Sequence, residues 1–325
     1  MSALMSGRIL TLIAGLAAAT SLYAADSLSP RWEDLTSADF VKAIGQADGV
    51  CLLPLGSIDK FGPSGPVGTD LYLVRLISIE AAKREYAVVF PAYFAGGTND
   101  MSNWPGTVTY SARLQLDLLN ETTREMARNG CRKILIVNGN SGNNSMIALF
   151  MSGFTATPHD YAVYDIYGSA LSPNAVDGSR VAAAEPSRPG ADGHGGEDRI
   201  SAMLAYYPDL VHIERAHDEP VTQGPIHPGD QPGKVAQAAG GARNAAAGPP
   251  GGGGNGIQQV QGIMTQLPAG YGGDASGATV RRGKALVKNG VDVLVRAIRE
   301  VKADRTTLAV QKEFYERREN PEAAR

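Results

Sequence analysis

The chain has 325 residues, with 30 basic and 33 acidic side chains and a formal net charge of −3. That balance argues against a nucleic-acid binder, which carries a basic face or stripe. Hydrophobic residues make up 43%, enough for a soluble protein with a sizeable core, in two domains or one large α/β domain.

Residues 1–25 carry one basic side chain, Arg8, then an apolar run over residues 9–19, then small residues ending in Tyr23-Ala24-Ala25. This is the order of a secretory signal peptide. The run is too short to span a bilayer, which takes about 20 apolar residues. The expected mature protein begins near residue 26 in the periplasm or outside the cell, an oxidising compartment, with no membrane attachment after cleavage.

Residues 50–55 read as a buried strand, and residues 70–85 as a helix with Leu73, Leu76, Ile77 and Ala81 on one side and Thr69 as its cap. Residues 87–94 read as a second strand. Residues 111–129 read as a helix whose inward face carries Leu114, Leu118, Thr122 and Met126, closed by Gly130. Residues 133–137 are a third strand, 145–154 a helix and 161–167 a fourth strand. This β-α-β-α-β order points to a parallel sheet covered by helices.

Residues 224–256 hold 11 Gly, 7 Ala and 5 Pro among 33 residues. With so little apolar bulk, the segment reads as an insert without a fixed fold. Structure resumes near residue 278, where Val287, Val291, Leu294, Ile298 and Val301 make the stripe of a core-facing helix. Residues 26–316 then form the folded unit and 317–325 a polar tail. Cys51 and Cys131, each at the start of a strand, leave two readings open: a disulfide if those strands are neighbours, or two buried thiols.

Polar loops follow the strands at residues 56–70 and 138–144. In open α/β sheets ligands bind at the carboxyl ends of the strands, so both loops are expected to face one crevice. The first holds Asp59 and Asp70, a pair suited either to a divalent cation and acid–base work or to plain turn and cap chemistry. The second, Asn138-Gly139-Asn140-Ser141-Gly142-Asn143-Asn144, offers amides to a ligand or simply forms a turn. Further on, Gly193-His194-Gly195-Gly196-Glu197-Asp198-Arg199 leads into an apolar helix. His194 and Glu197 are spaced for one side of a helix entry, as a metal ligand with a general base or as ordinary first-turn residues.

Taken together these loops resemble the creatininase (creatinine amidohydrolase) family. Its members show G-S-x-E-Q-H-G-P-H-x-P-x-G-T-D, F-P-G-T, N-G-H-x-x-N and H-A-G-E-x-E-T-S. The counterparts here are residues 56–70, Trp104-Pro105-Gly106-Thr107, residues 138–143 and residues 194–201. Gly273-Asp274-Ala275-Ser276-Gly277-Ala278-Thr279 resembles the family's G-D-P-x-x-A-T, and Trp32-Glu33-Asp34-Leu35 its W-x-x-L. The resemblance covers residues 30–302. It implies a three-layer α/β/α fold with a mainly parallel central sheet and a metal-dependent hydrolase of C–N bonds in small amides or cyclic amides. Two divalent ions then share an Asp and activate a water, and a homo-oligomer is implied as well.

The site residues depart from that pattern. Asp59 stands for the Glu of E-Q-H, Phe61 for its His, Asn140 for the His of N-G-H and Arg199 for the second Glu of E-x-E-T. Asp70, His194 and Glu197 are kept. The five histidines are 159, 194, 212, 217 and 227, so none can come from the first two ligand loops. Asp59, Asp70, Asn140 and Glu197 remain as an all-oxygen metal set. Such a set suits one hard cation (manganese, magnesium or calcium, or a single zinc) and not two zinc ions. His194 and Glu197 are the catalytic candidates; Phe61, Trp104, Asn138 and Asn143 are the substrate-contacting ones. One reading is a small-amide hydrolase with a reduced metal site. The alternative is a non-catalytic relative that binds a ligand or serves a structural role. In a third, metal-free reading His194 pairs with Asp59 or Glu197, but Ser57, Ser64 and Ser141 show no nucleophile elbow.

Overall fold

The structure, a computed structural model, describes residues 28–166, 185–218 and 270–324. Residues 1–25, read above as a signal peptide, and the Gly-rich segment at 224–256 lie outside the described residues. In chain order the described elements are α1 (Ser37–Gln46), β1 (Val50–Leu55), α2 (Thr69–Arg84), β2 (Val88–Val89), α3 (Ala112–Arg128) and β3 (Lys133–Asn138). Then come α4 (Asn144–Phe154), β4 (Ala162–Asp165), α5 (Glu197–Tyr206), α6 (Val280–Ala303) and α7 (Thr307–Glu319).

The four strands are parallel in the order β2-β1-β3-β4. Every residue of β1 and β3 is buried, as expected of a parallel sheet covered on both faces. Strand alternation divides the core. Val50, Leu52, Leu135 and Val137 pack with Leu73 and Ile77 of α2, Met203 of α5 and Val287, Leu294 and Ile298 of α6. Cys51, Leu53, Ile134 and Ile136 face the other way, onto Leu119 and Met126 of α3 and Ile147 and Phe150 of α4. The result is the three-layer α/β/α arrangement. Each fully enclosed aliphatic side chain contributes roughly 1.5–3 kcal/mol, so the two apolar clusters hold the sheet between its helices.

Several local expectations shift. Strand β2 is only Val88–Val89 with an isolated parallel bridge from Leu55 to Tyr93. Pro91 lies between them, and proline has no N–H for the ladder. Helix α2 is preceded by Gly68, while the Thr69 hydroxyl donates to Pro66 O at 2.7 Å and caps nothing. The inward face of α3 carries Gln115, Leu119, Thr123 and Met126, and Leu114 is exposed. Gln115 and Thr123 tolerate burial because each donates to backbone carbonyls: Nε2 to Tyr110 O at 2.9 Å and Oγ1 to Leu119 O at 3.0 Å. Helix α7 extends into the stretch read as a polar tail, and Arg318 donates to Thr155 O at 3.1 Å.

Cys51 and Cys131 are bridged, with their Cα atoms 5.7 Å apart. Cys51 is the register partner of Ile134 in β3, so the adjacency of β1 and β3 is what brings the thiols together. Lys133 closes the far end of α6. Its ammonium donates to Val301 O and Asp304 O at 2.8 and 2.7 Å, meeting carbonyls that the helix end leaves unpaired.

Candidate functional site

The order β2-β1-β3-β4 places the chain's change of direction between β1 and β3. A crevice opens at such a point, outside the carboxyl ends of the strands. The loops after β1 and β3 meet there. Gly56 permits this: a Cβ on it would lie 2.6 Å from Leu71 Cα, so α2 starts hard against the end of β1.

Ser57 is the hinge of the polar cluster. It is fully buried and its hydroxyl donates to Asp70 Oδ2 at 3.4 Å while accepting from Asn140 Nδ2 at 2.7 Å. Asp70 and Asn140 are thus brought together across the two strand ends. Asp59 is also enclosed, at 2% exposure, and its Oδ1 has no hydrogen-bond partner. Burial pushes the Asp59 carboxyl up to about 8, with the neighbouring charges of Asp70 and Asp100 adding to it. Asp70 is pushed up to about 6 by burial, with Arg199 pulling the other way.

The remaining asparagines are occupied by the scaffold. Asn138 and Asn143 are fully buried. Asn138 Oδ1 accepts from Asn140 N and Asn143 Nδ2, both at 3.1 Å, and Asn143 Oδ1 accepts from Gly97 N at 2.7 Å. Both were expected to meet substrate. Their polar atoms instead lock the loop after β3 to the segment after β2, because buried amides must be satisfied internally.

Arg199, from α5, reaches into this cluster. Its Nε lies 3.4 Å from Asp70 Oδ1 and its Nη1 3.1 Å from Asp198 Oδ2. A second guanidinium, Arg282 in the first turn of α6, lies 3.3 Å from Glu197 Oε2 and 2.7 Å from Asp192 Oδ2. Glu197 is 1% exposed and also accepts from Ser187, through both its backbone N–H at 2.8 Å and its hydroxyl. The carboxylate read as a metal ligand and general base is therefore engaged by Ser187 and Arg282. The packing is close: a Cβ at Gly277 would lie 1.9 Å from Glu197 Oε1.

His194 lies against the loop that follows β1. Its Nε2 is 2.6 Å from Lys60 O, and its ring lies 4.3 Å from the Phe61 ring. Phe61 itself is 2% exposed and packs with Ile200 and Ala275, so it is a core side chain and not an open pocket wall. Trp104 is half-buried beneath the Lys60 ammonium, 3.7 Å from the ring centroid, and its Nε1 is enclosed without a partner.

Among the described residues no three His, Cys, Asp or Glu side chains converge as an ion-holding group. The donor set does not fit a two-ion centre. Phe61 and Asn140 stand where the resemblance puts imidazoles, and guanidinium groups engage Asp70 and Glu197. Sequence reading missed Arg282, Asp192, Asp198 and Ser187. A signal existed for Arg282, since it shares a four-residue spacing with Leu286, Gly290 and Leu294, all buried; a charge on an apolar stripe needs a buried partner.

Residues 33–298 match the family profile described as creatininase, creatinine amidohydrolase. The creatinine amidohydrolase of Pseudomonas putida is 26% identical over 198 residues, covering 58% of this chain and 75% of that protein. The mycofactocin precursor peptide peptidase of Mycolicibacterium smegmatis is 28% identical over 167 residues, covering 49% of this chain and 59% of that one. In three dimensions, a crystal structure of creatinine amidohydrolase (creatininase) is similar at a TM-score of 0.63 and 24% identity, over 86% of this chain and 100% of the other. A manganese form of creatininase and a mutant of zinc–zinc type are similar at 0.62 and 0.59, each 21% identical, over 85% and 86% of this chain and 100% of each. The same mutant complexed with creatine scores 0.60 at 21% identity over 85% of this chain and 100% of its own. These structural likenesses concern the fold. With the profile spanning most of its length, the chain belongs to the creatininase family.

Proposed function

We propose that this chain is a small-molecule-binding member of the creatininase family that does not carry out metal-dependent amide hydrolysis. One observation carries the reading. Phe61, aligned by resemblance with a histidine ligand, is buried in an apolar cluster with Ile200 and Ala275 and lies tilted against the His194 ring. A phenyl ring has no lone pair to offer an ion, and its burial leaves that corner apolar. The ligand class is a compact amide or cyclic amide, carried over from the family. A periplasmic or secreted setting and assembly as a homo-oligomer belong to the same proposal. The leader-like residues 1–25 and the Cys51–Cys131 bridge favour that setting.

A second reading, a hydrolase with one hard cation on Asp59, Asp70 and Asn140, is favoured by the enclosed Asp59 Oδ1 that has no partner. The relatives solved with manganese and zinc add to it. Elemental analysis of the purified mature protein, equilibrated with zinc, manganese, magnesium and calcium, separates the two. The same samples are assayed for hydrolysis of creatinine and other small cyclic amides, and for thermal shifts by them. The expected result is no stoichiometric ion, no turnover and a thermal shift by an amide. A stoichiometric ion lost together with turnover in Asp70→Ala would overturn the proposal in favour of the second reading.

A further inference from the structure

We infer that Lys60 and Trp104 form a carboxylate subsite, so that the compact amide bound by this chain is one that carries a single carboxylate group. The inference deepens the small-molecule-binding reading and rests on it.

The Trp104-Pro105-Gly106-Thr107 motif supplies a donor that the fold does not use. Trp104 Nε1 is enclosed, and among the described residues it has no hydrogen-bond partner. An enclosed N–H without an acceptor is costly, and an indole N–H can only donate. The Lys60 ammonium lies over the same ring, 3.7 Å from its centroid. An ammonium likewise only donates, and it brings a unit positive charge. The indole N–H sits on the rim of that ring, so charge and donor can meet one acceptor-only anion. On a small amide that anion is a carboxylate, which takes charge-assisted hydrogen bonds from both groups. One ammonium balances one negative charge, which favours a monocarboxylate over a more highly charged phosphate.

Backbone contacts hold the pair in place. Val108 N donates to Ile58 O at 2.9 Å, which lays the motif beside the loop after β1. His194 Nε2 is 2.6 Å from Lys60 O. Gly270 lies against both side chains: a Cβ on it would fall 2.6 Å from Lys60 Cδ and 3.0 Å from Trp104 Nε1. Its φ of +72° is one that glycine adopts without strain. The edge of the indole is therefore kept clear of a side chain from residue 270. Lys60 and Trp104 are themselves half-buried, so solvent reaches the pair they form.

The test titrates the mature chain, by calorimetry and thermal unfolding, with 5-oxoproline and N-acetylglycine and with the neutral carboxamide of each. The acids are expected to bind at least about tenfold more tightly than the carboxamides, the size of one hydrogen bond to a charged group. Trp104→Phe keeps an aromatic ring and removes the N–H, and Lys60→Met removes the charge. Each is expected to erase most of that preference and to leave carboxamide binding unchanged. If Trp104→Phe does not fold, loss or retention of the preference in Lys60→Met decides alone. Acids and carboxamides that bind alike, or a preference that survives the variants, overturn this inference and leave the binding reading standing. If neither form binds, the inference falls. A thermal shift by an uncharged cyclic amide such as creatinine then keeps the binding reading, and no shift by any amide removes both.

Discussion

Arg199 Nε lies 3.4 Å from Asp70 Oδ1, and both side chains are enclosed, at 13% and 4% exposure. The contact joins α5 to the first turn of α2 beside the ends of β1 and β3. It puts a permanent positive charge on the one aspartate that the resemblance makes the shared ligand of two ions.

The buried aspartates give the site a pH signature. Asp59 and Asp70 are raised from an ordinary value of 3.8 to about 8 and about 6. An acid raised by folding holds its proton more tightly in the folded state. Its contribution to stability is complete below about pH 4 and is lost as pH rises through 6 and 8. Asp59→Asn is therefore expected to be more stable than wild type at pH 8.5, with the difference closing toward pH 4. Urea unfolding at both pH values checks this; equal gains at both would remove Asp59 as the source.

The disulfide closes a sequence separation of 80 residues. Chain-entropy reasoning gives such a loop about 4 kcal/mol of stabilisation. A double Cys51→Ala/Cys131→Ala variant is expected to lose about that much in denaturant titrations, and a reductant is expected to shift wild type in the same direction. An unchanged midpoint would mean that the bridge adds nothing to the two apolar clusters.

Phe61→Ala removes a ring enclosed with Ile200 and Ala275 and in tilted contact with His194. The expected cost is about 3–5 kcal/mol, the range for a buried aromatic truncated to alanine. A loss below about 0.5 kcal/mol, the usual size for a surface substitution, would show that the ring lines open space, contrary to the apolar-corner reading.

Two glycines make an opposed pair. A Cβ at Gly277 would sit 1.9 Å from Glu197 Oε1, whereas one at Gly153 near the end of α4 meets nothing within 4 Å. Gly277→Ala is expected to destabilise by about 1–3 kcal/mol through overpacking of the Glu197–Arg282 contact. Gly153→Ala is expected to stabilise by up to about 1 kcal/mol through lower backbone entropy in the unfolded chain. Thermal unfolding of both variants against wild type reads the two signs.

Much of the sheet was legible because its cues are local. Unbroken apolar runs at residues 50–55 and 134–137 correspond to β1 and β3 with little change of boundary. The stripe from Val287 to Val301 is the buried face of α6. The face of α3 was not legible, because Gln115 and Thr123 are polar by composition and buried by virtue of their hydrogen bonds. The site followed the same division. The loops were found from their motifs, yet only the fold shows Asn138 and Asn143 bonded to one another and Glu197 paired with Arg282.

The sequence by itself determined the order of elements, the two strand-end loops, the resemblance to the creatininase family and the absence of histidine from the first two ligand loops. Tertiary structure alone decided which buried charge meets which. Arg199 and Asp70 are 129 residues apart in the chain, and Arg282 and Glu197 are 85 apart. No periodicity or spacing encodes such pairs. They form because packing α5 and α6 against the sheet excludes water from those side chains, and an enclosed charge must then find its partner within the fold.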